Sequence, residues 1–419
     1  MTAPATDRPD LLAVLGPGLV TGAADDDPSG VGTYSQVGAQ FGYAMGWTLV
    51  FGYPLLASIQ AICARIGATT GMGIAQNLRE HYPRALLQVV VLMLLVANVI
   101  NLGADLGAMA AALALLLPGP IMAYVVGFGA LCVLLEIFLS YTVYARVLKW
   151  ATLSLFAYVG VVFVSGVPVG EALKGMLVPS FTFDREHSMA LVAIFGTTIS
   201  PYLFFWQAGQ EVEEQHRRHV KPLMVSPTEA GPEINRIRTD TLVGMGFSHI
   251  VAIFIVVATA ATLHAHGVRD VASAAQAAEA LRPIAGNLAF ALFAIGIIGT
   301  GLLAVPILAG SAAYAVSETF GWTEGLDRRP REAKAFYGII TLATVGGVAL
   351  NLIGIDPMKA LYWAAVVNGL LAPPLMIVTM LIARNPKVMG DLVISRKLAF
   401  GGWLSTAVMG GVAAIFLVS

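Results

Sequence analysis

Residues 24–30 read Ala24-Asp25-Asp26-Asp27-Pro28-Ser29-Gly30, and they interrupt the first apolar segment of the chain. Apolar sequence leads in from Leu11 to Ala24. Weakly polar, glycine-rich sequence leads out from Val31 to Gly46. Proline removes a backbone donor and glycine loosens the helix, so regular helical hydrogen bonding stops here. Carboxylates at membrane depth are costly, and such groups mark the paths of ions or substrates. The stretch therefore predicts a spanning helix broken near its middle, with a cation as the most natural occupant of the break.

The rest of the composition supports a membrane setting. The chain has 419 residues, of which 57% are hydrophobic and 12% charged, with a mean hydropathy of +0.78. A soluble domain averages about 25% charged residues. The reading is an all-α, multi-pass membrane protein whose principal partner is the lipid bilayer. A formal net charge of −1 singles out no macromolecule. Neither a nucleic acid nor an obligatory protein partner is expected. Cys63 and Cys132 both lie in apolar segments without CxxC or Cys/His spacing, so no disulfide framework or zinc site is suggested. A cleavable signal peptide is not expected, because a basic leading region and a small-residue cleavage site are both missing around residues 11–30.

Hydropathy predicts eleven spans, roughly at 12–40, 44–66, 84–116, 121–143, 147–167, 188–212, 240–263, 284–318, 334–353, 357–382 and 397–418, each near the ~20 residues a crossing needs. The uncharged run 283–317 exceeds one crossing and implies tilt or an extension beyond the bilayer. Of the 24 Arg and Lys residues, 19 fall in the N-terminal tail (Arg8) or after even-numbered spans, among them Arg146, Lys149, Arg236 and Arg238. Only Lys174, Arg185, Arg269, Arg282 and Lys359 fall on the other side. The positive-inside rule then puts the N-terminus in the cytoplasm and the C-terminus outside, in an inner or plasma membrane. The polar stretch 213–239 reads as a solvated cytoplasmic loop.

A second interruption lies five spans later, at Gly196-Thr197-Thr198-Ile199-Ser200-Pro201-Tyr202. Matching breaks in two five-span halves are the sequence pointer to an inverted-repeat transporter. Because five is odd, the second half sits upside-down relative to the first and the two breaks meet near the midplane. The repeats would cover about 12–167 and 188–382, with about 397–418 as an accessory helix.

Asp27 is the leading candidate for a cation ligand, since it directly precedes Pro28 where carbonyls are also freed. Simple capping of a half-helix explains one carboxylate well but three poorly. Asp25 and Asp26 read as lining a vestibule to the site or adding negative potential. Thr197, Thr198 and Ser200 flank the second break, where hydroxyls can also merely re-satisfy freed backbone. Asn368, before Pro373-Pro374, either touches the ion or its water shell, or bonds between helices. Glu136 and His249 read as packing or interhelical residues. Glu211, Glu213 and Glu214 face a cytoplasmic exit or mark the interface, and Phe204-Phe205-Trp206 is packing or a gate wall.

These stretches carry a family resemblance. Gly16-Pro17-Gly18, Asp27-Pro28-Ser29-Gly30 with Gln36 and Gly38-Ala39, Gly196-Thr197-Thr198-Ile199-Ser200-Pro201, and Arg238-Thr239-Asp240-Thr241-Leu242-Val243-Gly244-Met245 resemble the Nramp divalent-metal transporters. The likeness extends over spans one to ten and is specific in spans one, six and seven. It implies a LeuT-type fold of two inverted five-helix repeats plus an eleventh helix. It further implies that Asp27 and the carbonyls of Ala24 and Thr197 hold a metal ion as cargo, with no resident cofactor.

The chain also departs from the Nramp pattern. Typical members have Asp-Pro-Gly-Asn in span one, where this chain has Gly30, and Met-Pro-His in span six, where it has Ser200-Pro201-Tyr202. A thioether suits softer transition metals, whereas carboxylate, carbonyl and water oxygens suit Mg2+, Ca2+ and Mn2+. Mg2+ dehydrates reluctantly and keeps several waters, so a site opened at Gly30 and stripped of sulfur at Ser200 suits it. The combination resembles the Nramp-related magnesium transporter branch, which carries Mg2+ and Mn2+. Family proton relays use a span-six His, span-three acids and a span-nine Arg. Here Tyr202 replaces the His, Asp105 matches one acid, Ala108 stands where the second is expected, and residues 335–353 hold no basic residue. The expectation is downhill flux with weak or no proton coupling.

Two other classes compete. One is a proton-coupled Mn2+/Fe2+ carrier or, less favoured, a LeuT-type Na+-coupled amino-acid symporter. Three aspartates at the break would repel a carboxylate substrate. An enzyme is disfavoured, since no HExxH, GxSxG, Walker motif or catalytic Cys/His pair occurs.

Overall fold

The computed structural model describes residues 16–138 and 153–419, which are helical throughout with no strand among them. The first span is two helices, α1 (Pro17–Asp25) and α2 (Pro28–Phe41), separated at Asp26-Asp27. Each half opens with a proline, whose missing N–H would have had no intrahelical partner there. Single helices follow as α3 (Trp47–Thr70), α4 (Arg84–Ala114), α5 (Ile121–Phe138) and α6 (Ala157–Val164). The sixth span is again split, into α7 (Arg185–Thr198) and α8 (Pro201–Arg217), with Ser200 preceding the proline that opens α8. The remainder are α9 (Ala230–Thr262), α10 (Ala289–Phe320), α11 (Lys334–Leu350), α12 (Pro357–Ala383) and α13 (Arg396–Val418).

Among the described residues, nine helical segments are long and apolar enough to cross a membrane, and a shorter apolar helix covers Ser154–Val164. The two halves of the first span, of 9 and 14 residues, are each too short to be among the nine. Residues 1–15 and 139–152 lie outside the described residues, and with them Arg8, Arg146, Lys149, the end of the expected fourth span and the start of the fifth. The eighth span is continuous over 32 residues in α10, whose one charged residue is Glu318 in its last turn, about 48 Å against a hydrocarbon core of about 30 Å.

One boundary departs from the sequence reading. The stretch 213–239 is not a solvated loop throughout, because α8 continues to Arg217 and α9 already begins at Ala230. The reason is charge pairing across helices. Arg236 reaches Glu211 at 2.5 Å and Glu233 at 2.7 Å, and Glu233 also accepts from Arg218 at 2.9 Å. Charges that read as solvent-facing in sequence are paired on one another.

Close glycine contacts bring the two breaks to their neighbours. A Cβ added at Gly22 of α1 would lie 2.2 Å from the carbonyl oxygen of Gly244 on α9. One at Gly196 of α7 would lie 2.0 Å from the Ala365 carbonyl oxygen on α12. Small residues at such crossings let membrane helices approach backbone to backbone. The N-terminus of α1 is closed in trans: Asp240 of α9 accepts from the N–H groups of Gly16 at 2.9 Å, Gly18 at 2.7 Å and Leu19 at 3.0 Å. A carboxylate here satisfies orphan donors and matches the positive end of the helix dipole.

Candidate functional site

The two breaks face each other through one tyrosine. Asp27 is the N-cap of α2, and its Oδ1 accepts from the Gly30 N–H at 2.6 Å. Its Oδ2 lies 3.2 Å from the Tyr202 hydroxyl at the start of α8, and that hydroxyl is also 3.2 Å from the Ala24 carbonyl oxygen. A phenol has one proton, so it can donate to only one of the two acceptors at a time. Tyr202, read from sequence as a relay position, thus stands against two of the candidate ligand oxygens.

Ser200, the N-cap of α8, turns back onto the end of α7, donating toward the carbonyls of Thr197 at 2.8 Å and Gly196 at 3.1 Å. The Thr197 carbonyl keeps a second lone pair, and its side-chain Oγ1 is buried without a partner. Gly30 does not border an open void in this conformation. A Cβ there would lie 3.2 Å from the Asp25 carbonyl oxygen, 3.3 Å from Tyr34 Cε2 and 3.4 Å from Asp27 Oδ1. The room expected from the missing side chain is taken up by Tyr34 and the backbone of the break.

Asn368 of α12 is engaged between helices. Its amide nitrogen donates to Asn101 Oδ1 of α4 at 3.1 Å, and Asn101 returns the bond to Asn368 Oδ1 at 2.8 Å. The interhelical alternative is the one the geometry realises for this side chain. Asp25 and Asp26 do not line an open vestibule here. They are 1% and 2% exposed, about as buried as Asp27. Ser248 of α9 bridges them, with its Oγ 2.8 Å from Asp25 Oδ2 and 3.2 Å from Asp26 Oδ1. Asp105 of α4 is fully buried with no side-chain partner; the Ser29 backbone N–H approaches it loosely, and it lies in the electrostatic field of Asp27.

Of the remaining candidates, Glu136 is buried with both oxygens unpartnered. His249 packs its ring edge-on to Tyr53 at 5.6 Å. Glu213 accepts from Tyr314 and from the Leu326 N–H, pinning the loop after α10 to the end of α8. Glu214 pairs with Arg217 at 3.0 Å.

No cationic side chain among the described residues pairs with Asp25, Asp26, Asp27 or Asp105. These four buried carboxylates have no protein cation, and no three His, Cys, Asp or Glu side chains among the described residues are grouped closely enough to hold a metal ion in this conformation; a buried carboxylate must either be compensated or be neutral. Sequence reasoning missed three residues here: Ser248, Asn101 and Tyr34. Asn101 had a signal, since it lies one helical turn before Asp105. Ser248 and Tyr34 had none, being ordinary residues until the helices pack.

A description of the natural resistance-associated macrophage protein-like (Nramp) family matches residues 18–419. The divalent metal cation transporter MntH of Klebsiella pneumoniae (strain 342) is 25% identical over 409 residues, covering 95% of this chain and 92% of that protein. MntH of Mesorhizobium japonicum is 25% identical over 418 residues, covering 95% and 87%. The Eremococcus coleocola manganese transporter superposes with a TM-score of 0.77 at 18% identity, covering 100% of this chain and 88% of that one. Mhp1, a nucleobase-cation-symport-1 family transporter in a closed conformation, gives 0.58 at 16% identity over 96% and 91%. These structural likenesses establish the LeuT-type fold.

Proposed function

The chain belongs to the Nramp family, and on that premise we propose that it moves hard divalent cations, Mg2+ and also Mn2+, across the membrane by alternating access without strong proton coupling. In this reading it is a carrier rather than an enzyme, of the Nramp-related magnesium transporter branch, with the metal as cargo and no cofactor. Its N-terminus is cytoplasmic and its C-terminus outside an inner or plasma membrane. The MntH relatives are named divalent metal cation transporters and the Eremococcus coleocola protein a manganese transporter, which supports metal as the cargo class.

The observation that carries the reading is the setting of Asp27: a carboxylate at a helix break, facing the second break through Tyr202, within a group of buried carboxylates that has no protein cation. The Asp27 carboxylate and the carbonyls of Ala24 and Thr197 would hold the ion, with Gly30 and Ser200 bounding it and Asn368 behind. All are hard oxygen donors or spacers, and none supplies sulfur. To admit an ion, the Tyr202 hydroxyl must leave Asp27 and Ala24, or hydrogen-bond a metal-bound water instead. With no histidine at 202 and no basic residue in 335–353, the charged groups of a long proton relay are missing.

One observation favours a second reading, a proton-coupled Mn2+/Fe2+ carrier of the ordinary Nramp type. Asp105 is buried, without a side-chain partner and within the field of Asp27, as a proton acceptor beside the site would be. Purified protein in liposomes loaded with a Mg2+ indicator separates the two. Mg2+ entry without internal acidification is expected, and Asp27→Ala should reduce it by at least about 100-fold. Absence of Mg2+ entry while Mn2+ enters together with protons would establish the second reading. Full activity of Asp27→Ala would remove Asp27 from the site.

A further inference from the structure

We propose that the cleft between the end of α12 and the start of α13 binds the headgroup of an anionic phospholipid, with the acyl chains laid along the apolar faces of the same two helices. The proposal goes beyond the metal reading and is independent of it, so its failure would leave the cargo site standing.

The first ground is the place itself. A cleft of about 390 Å³ is lined by Arg384, Ile394, Arg396, Ala399, Phe400 and Trp403. Small-molecule sites run from about 300 to 1,000 Å³, so a headgroup fits. Arg384 is the C-cap of α12 and Arg396 the first residue of α13. Both arginines therefore stand where the two spans leave the same membrane surface.

The second ground is charge. The stretch from Arg384 to Lys397 carries Arg384, Lys387, Arg396 and Lys397 against a single acid, Asp391. None of these five forms an ion pair among the described residues. Arg217, Arg218 and Arg236, in the polar stretch between α8 and α9, are all paired with carboxylates. A guanidinium left unpaired grips phosphate oxygens through two parallel N–H groups. Basic pockets between spanning helices take anionic lipid headgroups in this way, and in the orientation proposed above the pocket faces the cytoplasmic leaflet, where such lipids carry the negative surface charge.

The third ground is what continues from the arginines into the bilayer. On α12, Ile377 and Leu381 lie on the face that leads to Arg384, at spacings of four and three residues. On α13, Leu404 and Phe400 lead to Arg396 at spacings of four. Phe400 is 70% exposed, Leu381 and Leu404 43%, and Ile377 42%. The helices run against each other, since Gly402 of α13 packs directly on Met380 of α12, where a Cβ would collide with the thioether. From Arg396 to Leu404 the row spans about 12 Å along the helix, most of the about 15 Å depth of one leaflet. A basic head over two apolar rows matches an amphiphile, whereas a free anion has no use for the rows.

Counting bound lipids tests the proposal. Full-length protein in neutral detergent is titrated with phosphatidylglycerol or with zwitterionic phosphatidylcholine, and adducts are counted by native mass spectrometry. The first phosphatidylglycerol should bind at least about tenfold more tightly than phosphatidylcholine, the size of one hydrogen bond to a charged group. Arg384→Gln combined with Arg396→Gln should abolish that preference. Arg328→Gln combined with Arg329→Gln removes the same charge from the loop after α10 and should leave the preference intact. Phe400→Ala should weaken the lipid by about fivefold through lost apolar contact. Soluble glycerol phosphate should not displace it. Equal binding of the two lipids by the unaltered protein would overturn the proposal, and that count needs no variant. Equal loss of preference in the Arg328/Arg329 variant would do so too, because the attraction would then be spread over the surface. Displacement by glycerol phosphate, or full-strength lipid binding in Phe400→Ala, would leave a phosphate site and overturn the lipid assignment. Thermal unfolding without added lipid reports whether each variant is folded.

Discussion

Asp240 and Asp105 are both fully buried carboxylates inside the helix bundle, and the protein treats them in opposite ways. Around Asp240 it supplies three backbone N–H groups from the start of α1, with Arg236 at 3.8 Å. Around Asp105 it supplies no cation and no side-chain donor, only the approach of the Ser29 backbone N–H. A buried charge must be compensated. Where the chain provides the compensation, the carboxylate is part of the framework and holds α1, the first half of the broken first span, to α9. Where it does not, the carboxylate stands open to something from outside. Asp25, Asp26 and Asp27 accept hydrogen bonds from Ser248, Gly30 and Tyr202 and share with Asp105 only the lack of a paired cationic side chain among the described residues; in the proposed function they border the cargo.

The largest effect that could break this comparison is on stability without metal. Asp240→Asn puts an amide NH2 against N–H donors of α1, and leaving such donors unmet should cost roughly 2–3 kcal/mol. Asp105→Asn removes an unpaired buried carboxylate and at most the loose contact with the Ser29 N–H, so it should leave metal-free stability nearly unchanged or raised. Thermal unfolding of both variants in metal-free detergent decides the matter. Equal losses would mean that Asp105 is structurally partnered after all.

A smaller effect is expected at Tyr202. Its hydroxyl must yield before an ion takes Asp27 Oδ2 and the Ala24 carbonyl. Tyr202→Phe should therefore tighten Mn2+ binding about fivefold, corresponding to one net hydrogen bond of about 1 kcal/mol. Weaker binding in an equilibrium titration would instead make the hydroxyl a holder of the ion's water.

The smallest lies at the edge of the bundle, where compensation is partial. Glu324, in the loop after α10, is held well above the usual carboxylate range by burial, and then by its negative neighbours Glu318 and Glu213, with Arg79 opposing. A carboxyl raised in the folded state contributes stability fully below its unfolded value near 4.3. That contribution is lost as pH rises through the folded value. Thermal stability should thus decline slightly from weakly acidic to alkaline pH, and Glu324→Gln should flatten the decline. An unchanged slope in the variant would show that Glu324 is adequately compensated.

Much of the architecture was legible in the chain. Pro28 and Pro201 with their neighbouring glycines and hydroxyls marked both breaks, because helix termination is decided within a few residues. Hydropathy marked the spans for a similar reason, since transfer into lipid is nearly additive along a segment. The stretch 213–239 was misjudged because a charge run looks the same whether it meets water or an opposite charge, and only the approach of α8 to α9 paired Arg236 with Glu211. Asn368 was left open between ion and helix contact until Asn101 was placed opposite it. The roominess read from Gly30 depended on what would fill the space, and Tyr34 fills it.

The sequence by itself determined that the first and sixth spans break, that a proline follows each break, and that the chain carries carboxylates where a soft ligand is missing. Only the tertiary structure decided which buried carboxylates are satisfied. Proline geometry, capping and hydropathy act over neighbouring residues. Charge compensation instead depends on groups far apart in the chain, such as Asp240 with Gly16 across 224 positions and Tyr202 with Asp27 across 175.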